Sequence, residues 1–126
     1  MLVLDSGGVS RLTSRTKVAL SLIQALSSQG LWPPMVPSVV LAESLQGNSS
    51  RDANAIRFLK TCVIETIISV DMARRAAELR RRARTGSAVD ALVVALAEPG
   101  GTILTGDKAD IEALAAFADR VIVQVI

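Results

Sequence analysis

Short apolar runs set between stretches of helical periodicity constrain this chain more than any other feature. Leu2–Leu4, Met35–Val36, Val63–Val70, Thr102–Leu104 and Val121–Val125 read as strands. Val9 to about Ser27 carries a helical stripe with Val18, Leu22 and Ala25 on one side, and Gly30 follows as a stop. Ser38 is placed to cap a helix over Val39–Leu45, closed by Gly47. Arg51–Thr61 reads as a further helix. Asp71 is placed to cap a long helix running to Arg84, with Gly86 beyond its end. Ser87 caps Ala88–Glu98, Pro99–Gly101 is a turn, and Asp107–Phe117 is the last helix. Strand and helix in alternation argue for an α/β fold around a mainly parallel sheet.

Composition agrees with that fold. Half of the chain is apolar but only 2% is aromatic, with no Tyr. Ala, Val, Leu and Ile must therefore fill the interior, which suits helices laid on a parallel sheet. The 126 residues are the size of one domain, and no linker, repeat or low-complexity segment divides residues 1–126. No apolar run approaches the ~18 residues that a spanning helix needs. No basic N-terminal region leads into a long apolar stretch, so no signal peptide is expected. The expected location is cytoplasmic, with no membrane partner.

The chain has no histidine, which excludes a Ser-His-Asp triad, His-ligated zinc and imidazole acid–base chemistry. Its one cysteine, Cys62, cannot form an intrachain disulfide and reads as a reduced thiol in the core. The acids carry more information. Asp5 stops the first strand in LVLDSGG, at the carboxyl end where parallel sheets bind ligands. An Asx-turn into Ser6–Gly8 would explain it equally well. Glu43 in VVLAESL follows Val39 and Val40 on one helical stripe, where an unpaired carboxylate is costly to bury. Asp90 in SAVDALVVALA forms an S-x-x-D capping box with Ser87. Asp107 and Asp110 in ILTGDKADIEAL fit an N-cap and its first turn.

Singly, most of these acids read as caps. Together they gather at strand ends and helix starts that such a sheet brings close. Carboxylates converging without histidine or lysine repel one another. A hard divalent cation removes that conflict, and Mg²⁺ prefers a few carboxylates with water and phosphate oxygens. A site of this kind points to metal-assisted phosphodiester hydrolysis.

The four blocks LVLDSGG, VVLAESL, SAVDALVVALA and ILTGDKADIEAL resemble the PIN domain in order and spacing along essentially the whole chain. The closest likeness is to VapC-type toxins of bacterial toxin–antitoxin pairs. The resemblance implies a three-layer α/β/α sandwich with a mainly parallel central sheet. It also implies a Mg²⁺- or Mn²⁺-dependent endoribonuclease. The family's acids fall on Asp5, Glu43, Asp90 and Asp107, with Asp5, Asp90 and Asp107 holding the metal. Glu43 would hold a second ion or orient a water. Thr105 is the hydroxyl of the T-x-D block, Ser6 is the hydroxyl after the first acid, and Asp110 matches an acid that only some members carry. Gly7 departs from the hydroxyl, amide or small apolar residue expected there. An RNA substrate, a small antitoxin partner and a homodimer are further implications. The alternative is a catalytically silent PIN-like module that binds RNA or a protein, and four filled acid positions weigh against it.

Arg74, Arg75, Arg80, Arg81, Arg82 and Arg84 fall on one helix with Glu78 as the only acid inside it. A solvated face and a phosphate-binding strip fit this pattern about equally. The strip could also meet an acidic segment of the antitoxin. With Trp32 and two Phe as the only aromatics, RNA recognition would lean on phosphate and shape. A phosphoacceptor receiver domain needs paired acids after strand one and a lysine after the last strand, and has neither here. An Asp-x-Asp phosphatase fails because residue 7 is Gly.

Overall fold

Leu2–Leu4 forms β1, and all three of its side chains are buried. A strand that is apolar on both faces needs helices on both sides. The other strands are Met35–Pro37 (β2), Val63–Glu65 (β3), Thr102–Thr105 (β4) and Ile122–Val125 (β5). In the computed structural model, which describes residues 1–126, they form one sheet in the order β3-β2-β1-β4-β5. Every pairing is parallel.

Seven helices connect the strands: Ser6–Thr13 (α1), Lys17–Ser28 (α2), Ser38–Ser44 (α3), Ala53–Leu59 (α4), Val70–Ala83 (α5), Ala88–Ala97 (α6) and Lys108–Ala115 (α7). From β1 the chain winds outward to β2 and β3, then returns across the sheet to β4 and β5. Right-handed crossovers in opposite directions place the helices on opposite faces. Accordingly α1 packs against β1, β4, α2, α3 and α4, whereas α6 packs against β1, β2, β4, α5 and α7. The result is a three-layer α/β/α sandwich. Its core joins Leu2, Val3, Leu4, Val36, Ile103 and Leu104 of the sheet to Val9 and Leu12, Leu79, Val93 and Val94, and Ile111 and Leu114 of the helices. The winding direction reverses between β1 and β4, so the switch-point crevice lies beyond their carboxyl ends.

Three elements differ from the sequence expectation. The helix expected over Val9–Ser27 starts earlier, at Ser6, and is broken at Ser14–Thr16. Ser14 Oγ donates to the Arg11 carbonyl, Arg15 adopts left-handed backbone, and Thr16 Oγ1 accepts from the Ala19 N–H. Side-chain bonds to backbone thus outcompete helix continuation there. The strand expected over Val63–Val70 stops at Glu65. Its partner β2 ends at Pro37, opposite Glu65, and turns into α3, so residues 66–70 have no ladder to join. Ser69, not Asp71, then caps α5 through the Met72 N–H. Finally, Pro37 occupies the N-cap position of α3, and Ser38 is its first helical residue. Cys62 is half-buried against the core as a free thiol, and burial pushes its pKa up to about 11.

Candidate metal centre

Leu4 of β1 pairs in register with Leu104 of β4, so the next residues, Asp5 and Thr105, emerge side by side at the switch point. Both are buried, Asp5 at 4% exposure. The Thr105 hydroxyl donates to Asp5 Oδ2, and the Gly8 N–H donates to Asp5 Oδ1 at 2.7 Å. Asp5 is therefore the N-cap of α1. Thr105 Oγ1 also accepts from the Asp107 N–H at 2.8 Å, which ties the two strand ends together.

Glycine is required at this junction. A Cβ on Gly7 would stand 2.6 Å from the Gly106 nitrogen, and one on Gly8 would stand 2.5 Å from the Leu104 carbonyl oxygen. The start of α1 lies directly on the end of β4. That explains the departure at Gly7: close backbone approach takes the place of a side-chain contact.

The other acids arrive on two helix starts. Asp90 and Ser87 form the expected capping box, with the Asp90 N–H donating to Ser87 Oγ at 3.0 Å and the Ser87 N–H to Asp90 Oδ2 at 3.3 Å. Asp107 caps α7 through the Asp110 N–H at 3.4 Å. Asp110 accepts a 2.6 Å hydrogen bond from the Thr85 hydroxyl. Carboxylate oxygens of Asp90, Asp107 and Asp110 lie within 4.8 Å of one another. Asp5 and Glu43 stand outside that group. Burial holds the Asp5 carboxyl above its usual range, and the charges of Asp90 and Asp107 add to the shift against the pull of the Thr105 and Gly8 hydrogen bonds. Glu43 is exposed on α3, and its carboxyl is also raised, by partial desolvation and then by the charges of Asp90 and Asp5.

None of these acids takes part in an ion pair; the ion pairs are Arg75 with Glu78 and Glu98, and Arg120 with Asp119. The donor set is all hard oxygen, uncompensated and convergent, which fits Mg²⁺ or Mn²⁺. Capping does not prevent ligation, because a carboxylate has about four acceptor sites and a cap uses one.

Two polar residues of this region carried no periodic or motif signal. Thr85 follows the left-handed Arg84 at the end of α5 and steadies Asp110. Asp52 is buried at 5% exposure, and its carboxylate accepts from the Gln46, Gly47 and Asn48 N–H groups at 2.8, 2.9 and 3.1 Å. The arginine helix divides in two. Arg75 grips Glu98 through two bonds of 2.9 and 2.8 Å, Arg82 lies 5.0 Å over the Phe117 ring, and Arg80 Nε donates to the Gly86 carbonyl. Arg74, Arg81 and Arg84 are exposed and form no side-chain hydrogen bond or ion pair.

The fold has a counterpart among solved structures. It matches a chain in the crystal structure of VapBC2 from Rickettsia felis bound to a DNA fragment from their promoter, with a TM-score of 0.70. The match covers 99% of this chain and 98% of that one, at 13% sequence identity. At that identity the likeness is one of fold. No family model matches the chain, and no curated protein matches it in sequence.

The raised Asp5 carboxyl has a measurable sign. Its charged form opposes folding at neutral pH, and that cost disappears as pH falls through the folded-state pKa toward the usual 3.8. Glu98 acts oppositely: its bonds to Arg75 hold it below the usual 4.5, so its contribution is lost only as pH falls through that lower value. In EDTA, Asp5→Asn is expected to melt above wild type at neutral pH. The gap should narrow as pH drops to about 4, near the unperturbed carboxylate range. A gap that stays constant in thermal melts across that range would contradict the burial argument.

Proposed function

We propose that this chain is a divalent-metal-dependent endoribonuclease, acting in the cytoplasm as the toxin of a toxin–antitoxin pair. The observation that carries the reading is the approach of three uncompensated carboxylates to within 4.8 Å at the switch point of the sheet. The fold match to a VapBC2 assembly and the four-block resemblance to VapC-type toxins support it. Residues 1–126 act as one nuclease domain in this reading, with a small antitoxin and a second copy of the chain as partners.

Asp90, Asp107 and Asp110 would hold Mg²⁺ or Mn²⁺, with Asp5 completing the set from behind. When bound, the ion supplies Lewis acidity toward water and phosphate oxygens at neutral pH, which replaces the missing imidazole. Thr105 and the Gly8 N–H keep the Asp5 carboxylate in one orientation. Glu43, at the open edge, orients a water toward phosphorus, and Ser6 stands beside it on the wall of an adjoining cavity. Hydrolysis adds that water across one P–O bond, and the departing ribose oxygen takes up the proton. Arg74, Arg81 and Arg84 have free guanidinium groups for RNA phosphates.

Thermal unfolding with and without Mg²⁺ or Mn²⁺ tests the centre. At metal about 100-fold above its Kd, native-state binding adds ~2.7 kcal/mol, a rise of roughly 10 °C for a chain of this size. Metal-dependent cleavage of single-stranded RNA should accompany the rise. No rise at millimolar metal, together with no cleavage, would leave these acids as helix caps on a binding module.

A further inference from the structure

Two buried hydroxyls have no hydrogen-bond partner in the protein: Thr13 Oγ1 and Ser44 Oγ. Both line the same cavity, of about 540 Å³, between α1, α3 and the start of α4. Ser6, Gly7 and Glu43 form the end that meets the acidic centre, and Gln46, Arg51 and Asn54 are also on its walls. The wall is polar apart from Val9 and Ala55, so an apolar helix has little to bury there. Its size falls in the range of about 300–1,000 Å³ found for small-ligand sites.

Folding does not explain the two hydroxyls. Apolar groups of the same shape would satisfy the interior at least as well, since an unmet buried donor is a cost. The cavity rim is also built to hold its shape. The buried Asp52 carboxylate gathers the N–H groups of residues 46–48, and Asn48 Oδ1 accepts from the Arg51 N–H at 3.1 Å. Arg51 is left without an ion-pair partner. A preorganised polar pocket beside a charged centre is the form a recognition subsite takes.

We propose that this cavity is a nucleotide subsite, which rests on the endoribonuclease reading above. It takes the ribose and base adjoining the phosphate at the acidic centre. Thr13 and Ser44 bond to the ribose 2′-hydroxyl or to a base edge, and Arg51 meets the neighbouring phosphate. A hydroxyl pair suits a 2′-hydroxyl, which both donates and accepts. No aromatic side chain lines the cavity, so recognition there is by hydrogen bonding and not by stacking.

The test uses Thr13→Val, Ser44→Ala and the double variant in the full chain. Melting temperature, its rise with Mn²⁺, and kcat and KM on a short single-stranded RNA are measured together. The double variant should melt at or above the wild-type temperature and keep the Mn²⁺ rise. Its KM should increase roughly tenfold, the loss of one or two hydrogen bonds, with kcat nearly unchanged. A single 2′-deoxy substitution beside the cleaved bond should weaken wild type but not the double variant. Equal KM for wild type and variants would overturn the subsite alone. So would a variant that cuts RNA normally but no longer retains a co-purified protein partner, because the cavity would then serve that partner. Wild-type protein that neither binds nor cuts RNA would overturn the subsite and the proposed function together.

Discussion

Asp90→Asn is expected to abolish metal-dependent cleavage while leaving the fold at least as stable as wild type. The residue has two roles that the substitution separates. As a cap, it accepts the Ser87 N–H, and asparagine can do the same. As an anion, it stands within 4.8 Å of two other carboxylates, and its removal relieves repulsion in the metal-free protein. Losing one charged ligand from such a set removes about 3–4 kcal/mol of transition-state stabilisation, roughly a 10²–10³-fold fall in rate. In calorimetry the variant should match or exceed the wild-type midpoint in EDTA and show no rise with Mn²⁺. A variant that retains the Mn²⁺ rise and cleaves at the wild-type rate would remove Asp90 from the centre.

Gly8→Ala should have the largest effect on stability of any single methyl addition near the site. The added Cβ would stand 2.5 Å from the Leu104 carbonyl oxygen, a backbone atom held in the central sheet. Helix α1 must lift from β4 to make room, at about 2–3 kcal/mol. For a chain of this length the melting temperature should fall by roughly 6–15 °C. The same movement pulls the Gly8 N–H away from Asp5 Oδ1, so cleavage should fall more steeply than the folded fraction. A variant that melts within about 2 °C of wild type, well inside that expected loss, would show that α1 has slack the geometry does not suggest.

These two residues also show what could be read from sequence alone. Asp5, Asp90 and Asp107 were legible because each ends an apolar run or opens a helix, positions that local pattern identifies. The sheet was legible for the same reason, since apolar triplets such as Leu2–Leu4 announce a strand covered on both faces. Convergence was not legible. Asp110 joins Asp90 and Asp107, whereas Glu43 stands apart, and that depends on how α3, α6 and α7 sit on the sheet. Strand length at β3 was overestimated because Val63–Val70 has β-branched residues throughout, while the partner that limits the strand, Pro37, lies far off in sequence. The role of Gly8 was hidden too, because its closest neighbour, Leu104, belongs to a distant strand.

The acids at this centre share one property beyond charge: Asp5, Asp90 and Asp107 each cap the beginning of a different helix. Each helix start carries about half a positive charge from its aligned peptide dipoles. Three such ends facing one place make a background field that favours anions and opposes a bare cation. A phosphate group reverses the balance, because it satisfies the field and draws the cation at once. Ion and strand are therefore coupled ligands here. By linkage, whatever factor RNA adds to the affinity for metal, metal returns to the affinity for RNA.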